Sequence, residues 1–449
     1  MTSWKRSDEP GRGSNKAGTG REARLSGIAV RRLELADDLE AELDLHLRSF
    51  GPIPPARRAS LIASTQRSIG AGQILGAFDG PRLVGSARFH PMRQWWHGRS
   101  MPMAGVAGVK VAPEYRSRGV GRALMTELVA DIARGGYPVS ALYPATAPLY
   151  RSLGWETAGG RYETTVPMGS LAGLLAPDPA ANAGAGERAD APAGLRRATA
   201  ADAAAVAETL GQVYGALRDR GAATHDQGFL ATWLDDSDRF AYLADDGFLT
   251  YRWGEGHDNI RVDLLAAASA STARAFWRLV GSHATMADQV RACLAPDDPI
   301  GWLTREPGVG VRQVWPWMLR IIDAPAAIAA RGFPASVEVS VQLELADDAL
   351  PGNAGRWQLE VSGGSGTVER VGSLGSVASA RSASPAGHVR MAGRDPALRL
   401  GSRGLAALYA GVPISTLRRA GLAQGGAEAA DSALDGAFGG RPAFMLHDF

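Results

Sequence analysis

The stretch VAPEYRSRGVGRAL, residues 111–124, decides how the N-terminal half of the chain is read. Val109 and Val111 close an alternating β-like run and Pro113 stops it. Ala123, Leu124, Leu128, Val129 and Ile132 then recur at three- and four-residue intervals, as one face of a helix does. Gly119 and Gly121 therefore lie on a strand-to-helix turn. The N–H groups of a first helical turn lack intrahelical acceptors and sit at the positive end of the helix dipole, so a phosphate is a natural guest. The glycines keep side chains out of its way, and Arg116, Arg118 and Arg122 add cationic donors. The spacing Arg116-x-x-Gly119-x-Gly121 is neither a P-loop, since no Gly-Lys-Ser/Thr follows, nor the dinucleotide GxGxxG. On these residues alone, a phosphate-binding loop and a plain basic, solvated helix start remain equal alternatives.

Size and composition narrow the setting. A chain of 449 residues exceeds one ordinary core, so two or three domains are expected. Hydrophobic residues at 45% and charged ones at 21% describe a soluble globular protein, and no apolar run reaches membrane-span length. A net charge of +2 with scattered basic residues leaves no nucleic-acid footprint. Cys293 is the only cysteine, which excludes an internal disulfide framework and fits a reducing, cytoplasmic setting; its reading is a buried small hydrophobe. The eight histidines show no metal-ligand spacing, so no metal is expected. Residues 1–26 are polar and Gly-rich without an apolar core segment, and are expected to form a disordered arm, not a signal peptide.

An Ala/Pro/Gly stretch at 176–194 reads as a linker or surface loop that closes a first domain, 27–175. Beyond it the chain starts again: VRRLELADDLEAE from Val30 is echoed by LRRATAADAAAVAE from Leu195, each a short strand with an Asp-bearing entry into a helix. The second unit, 195–316, offers strands at RFAYLADD, GFLTYRW and IRVDLLAA and a helix near Ala273–Ser282. Its turn, AAASASTARAFW, holds no Arg-x-x-Gly-x-Gly. The third part, 317–449, has period-two strands in SVEVSVQLELADD and RWQLEVSGGSGTVERV, then helical stretches from Pro396 through Ala437.

The strand, Arg-rich glycine turn and helix, followed by YPVSALYP and the segment Tyr150-Arg151-Ser152-Leu153-Gly154-Trp155, resemble the acetyl-coenzyme A core of the GNAT superfamily of N-acetyltransferases. The third part, with Leu398-Arg399-Leu400-Gly401 leading into RGLAALYAGV, looks like the sterol carrier protein fold, here as a scaffold. Tandem GNAT-like mixed-sheet domains, the second degenerate, followed by a sterol-carrier-like α+β domain resemble the architecture of the enhanced intracellular survival (Eis) acetyltransferase family. The carrying motifs are GVKVAPEYRSRGVGRAL, GYPVSALYPATAPLYRSLGW, LRIIDAPAAIAARGFP and the closing FMLHDF.

The resemblance implies transfer of an acetyl group from acetyl-coenzyme A to a primary amine: an aminoglycoside, a lysine side chain or another small amine. It implies that the backbone of Val109 and Val111 holds the pantetheine arm. The pyrophosphate then rests on Arg116, Ser117, Arg118, Gly119, Val120, Gly121 and Arg122. Tyr150 matches the family tyrosine that protonates the departing thiolate, and a phenol with an ordinary pKa near 10 stays protonated at neutral pH. The family's general base is the terminal carboxylate, a role that falls to Phe449; the apolar close PAFMLHDF suits a docked tail. Asp448 is a neighbouring anion that either attracts a cationic amine or solvates the rim. Relatives assemble as homohexamers, and the same is expected here.

The acceptor is less legible. After the first helix the chain reads Phe50-Gly51-Pro52-Ile53-Pro54-Pro55, with no carboxylate to attract a polycation, so broad aminoglycoside activity is not expected. Trp95 and Trp96 are either a stacking surface for the acceptor or apolar cover. A non-catalytic coenzyme-binding member, and a structural or lipid-binding protein built on the third domain, are the competing readings.

Overall fold

The computed structural model describes residues 27–171, 173–174, 194–254, 256, 258–305, 308–371, 396–447 and 449. The expected arm at 1–26, nearly all of the expected linker and Asp448 lie outside the described residues. The chain divides into two compact units: residues up to Arg88 with Gly108–Leu128, and Phe89–Ala107 with Val129–Phe449.

In the first unit, β1 (Ile28–Arg32), β2 (Ile74–Asp79) and the opening of β3 (Arg82–Trp96) form an antiparallel ladder, with Ile28 opposite Asp79 and Ile74 opposite Arg88. Two helices, α1 (Leu35–Phe50) and α2 (Pro55–Gly70), lie between β1 and β2 in the chain. Asp38 fixes the entry into α1: its carboxylate accepts the Glu34 N–H at 2.8 Å and pairs with Arg31 at 2.6 Å. Leu33, Leu45, Ile69, Ile74, Phe78, Leu83 and Ala112 form this unit's core. β4 (Arg99–Val111) ends here, and after a 3-10 turn at Pro113–Tyr115 the helix α3 (Val120–Arg134) begins. Of its expected apolar face, Leu124, Leu128, Val129 and Ile132 are buried and Ala123 is half-buried.

The second unit contains the closing strands of the first copy and the whole described second copy of the internal repeat. β4 runs parallel to β5 (Val139–Leu142), with Met103 opposite Val139. After α4 (Ala147–Arg151) and β6 (Glu156–Pro167), the second copy runs through β7 (Arg196–Arg197), α5 (Ala203–Ala216), β8 (Arg220–His225) and α6 (Gln227–Leu234). It continues through β9 (Phe240–Ala244), β10 (Gly247–Trp253), β11 (Asn259–Ala267), α7 (Ala270–Gly281) and β12 (Gln289–Leu294) to β13 (Gly310–Ile321). β11 and β12 are a parallel pair joined through a helix, as β4 and β5 are. The last strands of the two copies are exchanged. β13 pairs with β5, Ile321 opposite Val139, while β6 pairs with β12, Val166 opposite Val290; β13 and β6 then lie side by side. The expected boundary between residues 316 and 317 falls inside β13, which runs through it without a break.

The third part opens with α8 (Ala324–Ala330), and its strands are β14 (Val339–Ala346), β15 (Gly355–Ser362), β16 (Ser365–Arg370), β17 (Leu398–Gly401) and β18 (Ala423–Gly425). They order as β16-β15-β14-β17-β18. Val339, Val341, Leu343 and Leu345 alternate inward along β14, the period-two pattern of a one-sided sheet. Helices α9 (Ser402–Tyr409), α10 (Ile414–Arg419) and α11 (Glu428–Phe438) follow. The stretch expected to be helical from Pro396 thus opens with a strand, because Leu398 and Leu400 alternate with Arg399 and pair with Leu343 and Leu345 of β14. A buried ion pair, Arg320 to Asp347 at 2.6 Å, ties β13 to this part. Arg331, also fully buried, lies against the rings of Tyr409, Phe438, Phe333 and Trp96 and donates to the Tyr409 carbonyl at 2.7 Å.

Candidate active site

The residues singled out from the sequence fall in both compact units. In the first unit, the half-buried Val109 and Val111 end β4, and residues 116–119 form the turn before α3. Ser117 and Gly119 take positive φ angles of 59° and 89°, which fold the chain back toward the helix start at Val120. Ala123 donates to the Gly119 carbonyl at 3.0 Å, so Gly119 caps the helix and the N–H groups just after it have no intrahelical acceptor. Arg116, Arg118 and Arg122 are exposed, and none forms an ion pair among the described residues. Glu114, the nearest acid in sequence, is held by Arg82 at 2.7 Å and Arg48 at 3.2 Å. The turn is thus a site of uncompensated positive charge, as a pyrophosphate requires.

The same turn in the second copy is closed by its own side chains. Ser269 caps α7 by accepting the Thr272 N–H at 3.3 Å, and the Thr272 hydroxyl donates to Asp246. Where the first copy offers arginines and open N–H groups, the second offers a capped helix and a carboxylate. The missing Arg-x-x-Gly-x-Gly therefore has a structural counterpart.

Tyr150 and Phe449 belong to the second unit. Tyr150 sits on α4, is 6% exposed and meets Trp155 edge to face at 6.3 Å. Burial pushes its phenol above the ordinary value, which keeps it protonated and able to donate. The segment around it is anchored by Glu156, whose carboxylate receives Arg151 at 2.8 Å and Arg403 of α9 at 2.7 Å. Burial alone would raise that carboxyl; the Thr157 N–H and the two guanidiniums outweigh it and hold the group below its usual range.

The end of the chain is docked by backbone contacts that sequence does not reveal. Gly160 of β6 donates to Ala443 and accepts from Met445, both at 3.2 Å, and Phe444 donates to the Arg220 carbonyl of β8 at 2.9 Å. Tyr143 donates its hydroxyl to the His447 carbonyl at 2.8 Å. The Phe449 ring lies over Gly105 of β4 and 5.6 Å from the Tyr143 ring, centroid to centroid. β8 comes from the second copy yet pairs with β3, Met92 opposite His225, and so brings His225 to 5.3 Å from His447 and 6.3 Å from Phe449.

Trp95 and Trp96 are core residues, not an exposed stacking surface. Trp96 is fully buried against Tyr409 and Trp317 and donates its indole N–H to Gln94 at 3.0 Å; Trp95 packs on Tyr214. Cys293 is buried, and burial raises its thiol above the ordinary value, an inert environment for a nucleophile.

Sequence reasoning missed one cluster. Glu42, His46 and Phe50 recur every four residues and so share one face of α1. Glu42 receives Lys110 of β4 at 2.6 Å, with both side chains 2% exposed or less. Lys110 and His46 flank Phe50, at 5.9 Å and 5.1 Å from its ring centre. Arg88 of β3 belongs to the same neighbourhood, with Gly108 beneath it. The four-residue spacing was visible in ELDLHLRSF, but nothing in the sequence indicated which residues of the sheet it would meet.

Among the described residues, no group of three or more His, Cys, Asp or Glu side chains is arranged to hold a metal ion, and no helix is long and apolar enough to cross a membrane.

Comparison with known proteins places names on this architecture. Residues 29–158 and 217–321 each match a family model described as an acetyltransferase (GNAT) domain, and residues 324–446 match a sterol carrier protein domain. The N-acetyltransferase Eis of Mycobacterium tuberculosis is 30% identical over 309 residues, 64% of this chain and 71% of that protein. The crystal structure of a GCN5-related N-acetyltransferase from Kribbella flavida superposes with a TM-score of 0.80 at 40% identity, covering 94% of this chain and 98% of that one. Eis1 from Mycobacterium abscessus superposes with a TM-score of 0.69 over 94% of this chain and all of that one; at 24% identity it speaks for the fold.

Proposed function

The chain belongs to the Eis family of acetyl-coenzyme A-dependent N-acetyltransferases, and from that premise we propose that it acetylates a primary amine by direct attack, with Tyr150 as general acid and the Phe449 terminal carboxylate as general base. The observation that carries the reading is the turn at residues 116–122, with positive φ angles at Ser117 and Gly119 and exposed guanidiniums that no described carboxylate neutralises. The pyrophosphate of acetyl-coenzyme A rests there, and the backbone of Val109 and Val111 aligns the pantetheine arm. The acceptor attacks the thioester carbonyl as the neutral amine, the carboxylate of Phe449 takes the proton that the nitrogen gives up as the C–N bond forms, and backbone N–H groups of β4 stabilise the oxyanion. As the tetrahedral intermediate collapses, the C–S bond breaks and Tyr150 gives its proton to the thiolate.

In this reading residues 27–175 hold the coenzyme and the general acid, 195–316 are scaffold that completes the sheet, and 317–449 are scaffold that positions the tail and supplies its terminal carboxylate. The assembly is a homohexamer, which light scattering at micromolar concentration tests, and the compartment is the cytoplasm. Aminoglycosides are poor acceptors, because the segment after α1 offers no carboxylate. The test is release of free thiol from acetyl-coenzyme A with a panel of amines. Tyr150→Phe keeps the ring packing and deletes the proton donor, so turnover falls about 10²-fold with unchanged coenzyme affinity. Wild-type turnover in that variant removes Tyr150 from the mechanism. No thiol release with any amine, from protein that binds the coenzyme, favours the non-catalytic reading.

A further inference from the structure

A cleft of about 340 Å³ lies within the second unit, lined by the β3–β4 turn, the loop from α5 to β8, the segment after α8 and the β15–β16 turn. These pieces are tied to one another. The His97 N–H donates to the Asp219 carbonyl and the Gly332 N–H to the Trp96 carbonyl, both at 2.9 Å, and the Phe333 N–H donates to the Gly364 carbonyl at 3.2 Å. Arg99 donates to the Ser365 hydroxyl at 2.9 Å. A Cβ at Gly332 would stand 2.1 Å from the His97 carbonyl oxygen, so glycine is what lets those two segments meet.

The charged lining is all of one sign. Arg99 and Arg218 line the cleft and are exposed, and among the described residues no acidic side chain lines it. Arg218 makes no hydrogen bond or ion pair with any described residue. Asp219, next in the chain, is committed to Arg441 at 2.9 Å. His97 Nε2 is buried without a hydrogen-bond partner. Burial first, then the charges of Arg218, Arg331 and Arg220, push the His97 imidazole below its ordinary pKa, so the positive potential reaches the ring itself.

The backbone is strained at the same place. Among the described residues, only His97, Ser117 and Arg218 are non-glycine residues with positive φ. Ser117 belongs to the proposed pyrophosphate turn; the other two, at 49° and 53°, both line this cleft. His97-Gly98 is a two-residue hairpin turn with both φ angles positive, a turn that favours Asn-Gly. Arg218 closes α5: its N–H donates to the Gly215 carbonyl at 3.1 Å and the Asp219 N–H to the Tyr214 carbonyl at 3.0 Å, the helix ending at which glycine is usual. A left-handed conformation costs a residue with a Cβ more than it costs glycine, and neither the Arg218 guanidinium nor His97 Nε2 recovers that cost in a hydrogen bond of the fold. Strain retained at two residues that line one positively charged cleft points to a ligand.

We propose that this cleft binds the phosphate group of a small phosphorylated compound, held by the guanidiniums of Arg218 and Arg99 and by the Nε2–H of His97. Guanidiniums match phosphate oxygens in charge-assisted pairs, and donors from separate elements suit a group that offers several oxygens. The volume is at the lower end for small-molecule sites and leaves room beside the phosphate for a small organic part, against Phe333 and Ala335. The inference is independent of the acetyl-transfer reading, since the cleft includes no residue of the turn at 116–122 or of the tail.

The experiment titrates the full chain with glycerol phosphate at fixed ionic strength and follows calorimetric binding and the melting temperature, with glycerol and sodium chloride as controls. Glycerol phosphate is expected to bind saturably and raise the melting temperature, and the controls are not. Arg218→Gly and His97→Asn install the residue that each turn favours while deleting a proposed ligand group. Each unliganded variant is expected to melt no lower than the wild type, and each is expected to bind glycerol phosphate about 10-fold or more weakly, the scale of a lost charge-assisted hydrogen bond. Gly121→Asp, in the proposed pyrophosphate turn, should bind it as the wild type does, and Arg218→Gly should keep the wild-type dissociation constant for acetyl-coenzyme A. No saturable binding, unchanged binding in either cleft variant, or a melting temperature that falls in either unliganded variant overturns the proposal. Binding lost in Gly121→Asp assigns the phosphate to the turn, and weakened acetyl-coenzyme A binding in Arg218→Gly assigns the cleft to the coenzyme; either result also overturns it. None of these readouts uses turnover, so a failure of the acetyl-transfer reading leaves the outcome for the cleft unchanged.

Discussion

Replacing Gly105 by alanine isolates the position of the chain's last residue from the stability of the fold. Gly105 lies in β4 opposite Ala141 of β5 and has no positive φ, so its backbone accepts alanine without strain. In a strand interior the exchange by itself favours folding by about 0.5–1 kcal/mol, since glycine loses more freedom on ordering. The added methyl meets two groups: Met92 Sδ at 2.6 Å, and the Phe449 ring at 3.0 Å and 3.1 Å. The thioether is the far end of a flexible side chain and swings away at little cost. The ring is held from behind by Tyr143 and by the backbone contacts of residues 443–445, and it must retreat by about 0.5 Å to reach the roughly 3.5 Å at which carbon atoms rest. A misplacement of about 1 Å in a reacting group costs on the order of 10²-fold in rate, so this shift should lower kcat by about tenfold or more. Thiol release at saturating amine measures kcat, calorimetry the coenzyme affinity, and thermal melting the fold. The expected pattern is a reduced kcat with unchanged acetyl-coenzyme A binding and a melting temperature within about 2 °C of the wild type. Wild-type kcat in folded Gly105→Ala would show that the tail's placement does not matter to the chemistry, and the terminal carboxylate would lose its assigned role.

Extending the chain by one residue beyond Phe449 converts the proposed base into an amide and should cost about 10²-fold in turnover with coenzyme binding intact; an unaffected rate calls for a different base. Gly121→Asp puts a carboxylate at the first turn of α3, against the proposed pyrophosphate, and should abolish acetyl-coenzyme A binding in calorimetry while the melting temperature holds. Arg320→Met leaves the Asp347 carboxylate, 4% exposed, buried without its ion-pair partner, and should destabilise the protein by about 3–5 kcal/mol in urea unfolding. A loss below about 1 kcal/mol would mean that water reaches that carboxylate.

What the sequence by itself determined was local. The turn at 111–124 was legible because strand alternation, Pro113, Gly119 and Gly121, and the three- and four-residue spacing of α3 all act within a few residues of one another. The repeat was legible for the same reason: each copy carries its own strand and helix signals, and the loss of arginines from the second turn is a fact of composition that Ser269 and Asp246 then complete. The strand read as helix at Leu398–Gly401 shows the limit, since four residues cannot display a period and only pairing with β14 decides them. Tertiary structure alone decided the exchange of β6 and β13 between the copies, because strands about 150 residues apart pair through backbone groups that every residue carries. It also sent Trp95 and Trp96 into the core and laid Phe449 over Gly105, contacts set by which surfaces meet and not by residue type. Arg88 is the clearest case. An arginine in a strand carries no signal of its own, and whether it is solvated, paired or buried alone depends on how α1 meets β3 and β4 and on the Glu42 carboxylate being given to Lys110.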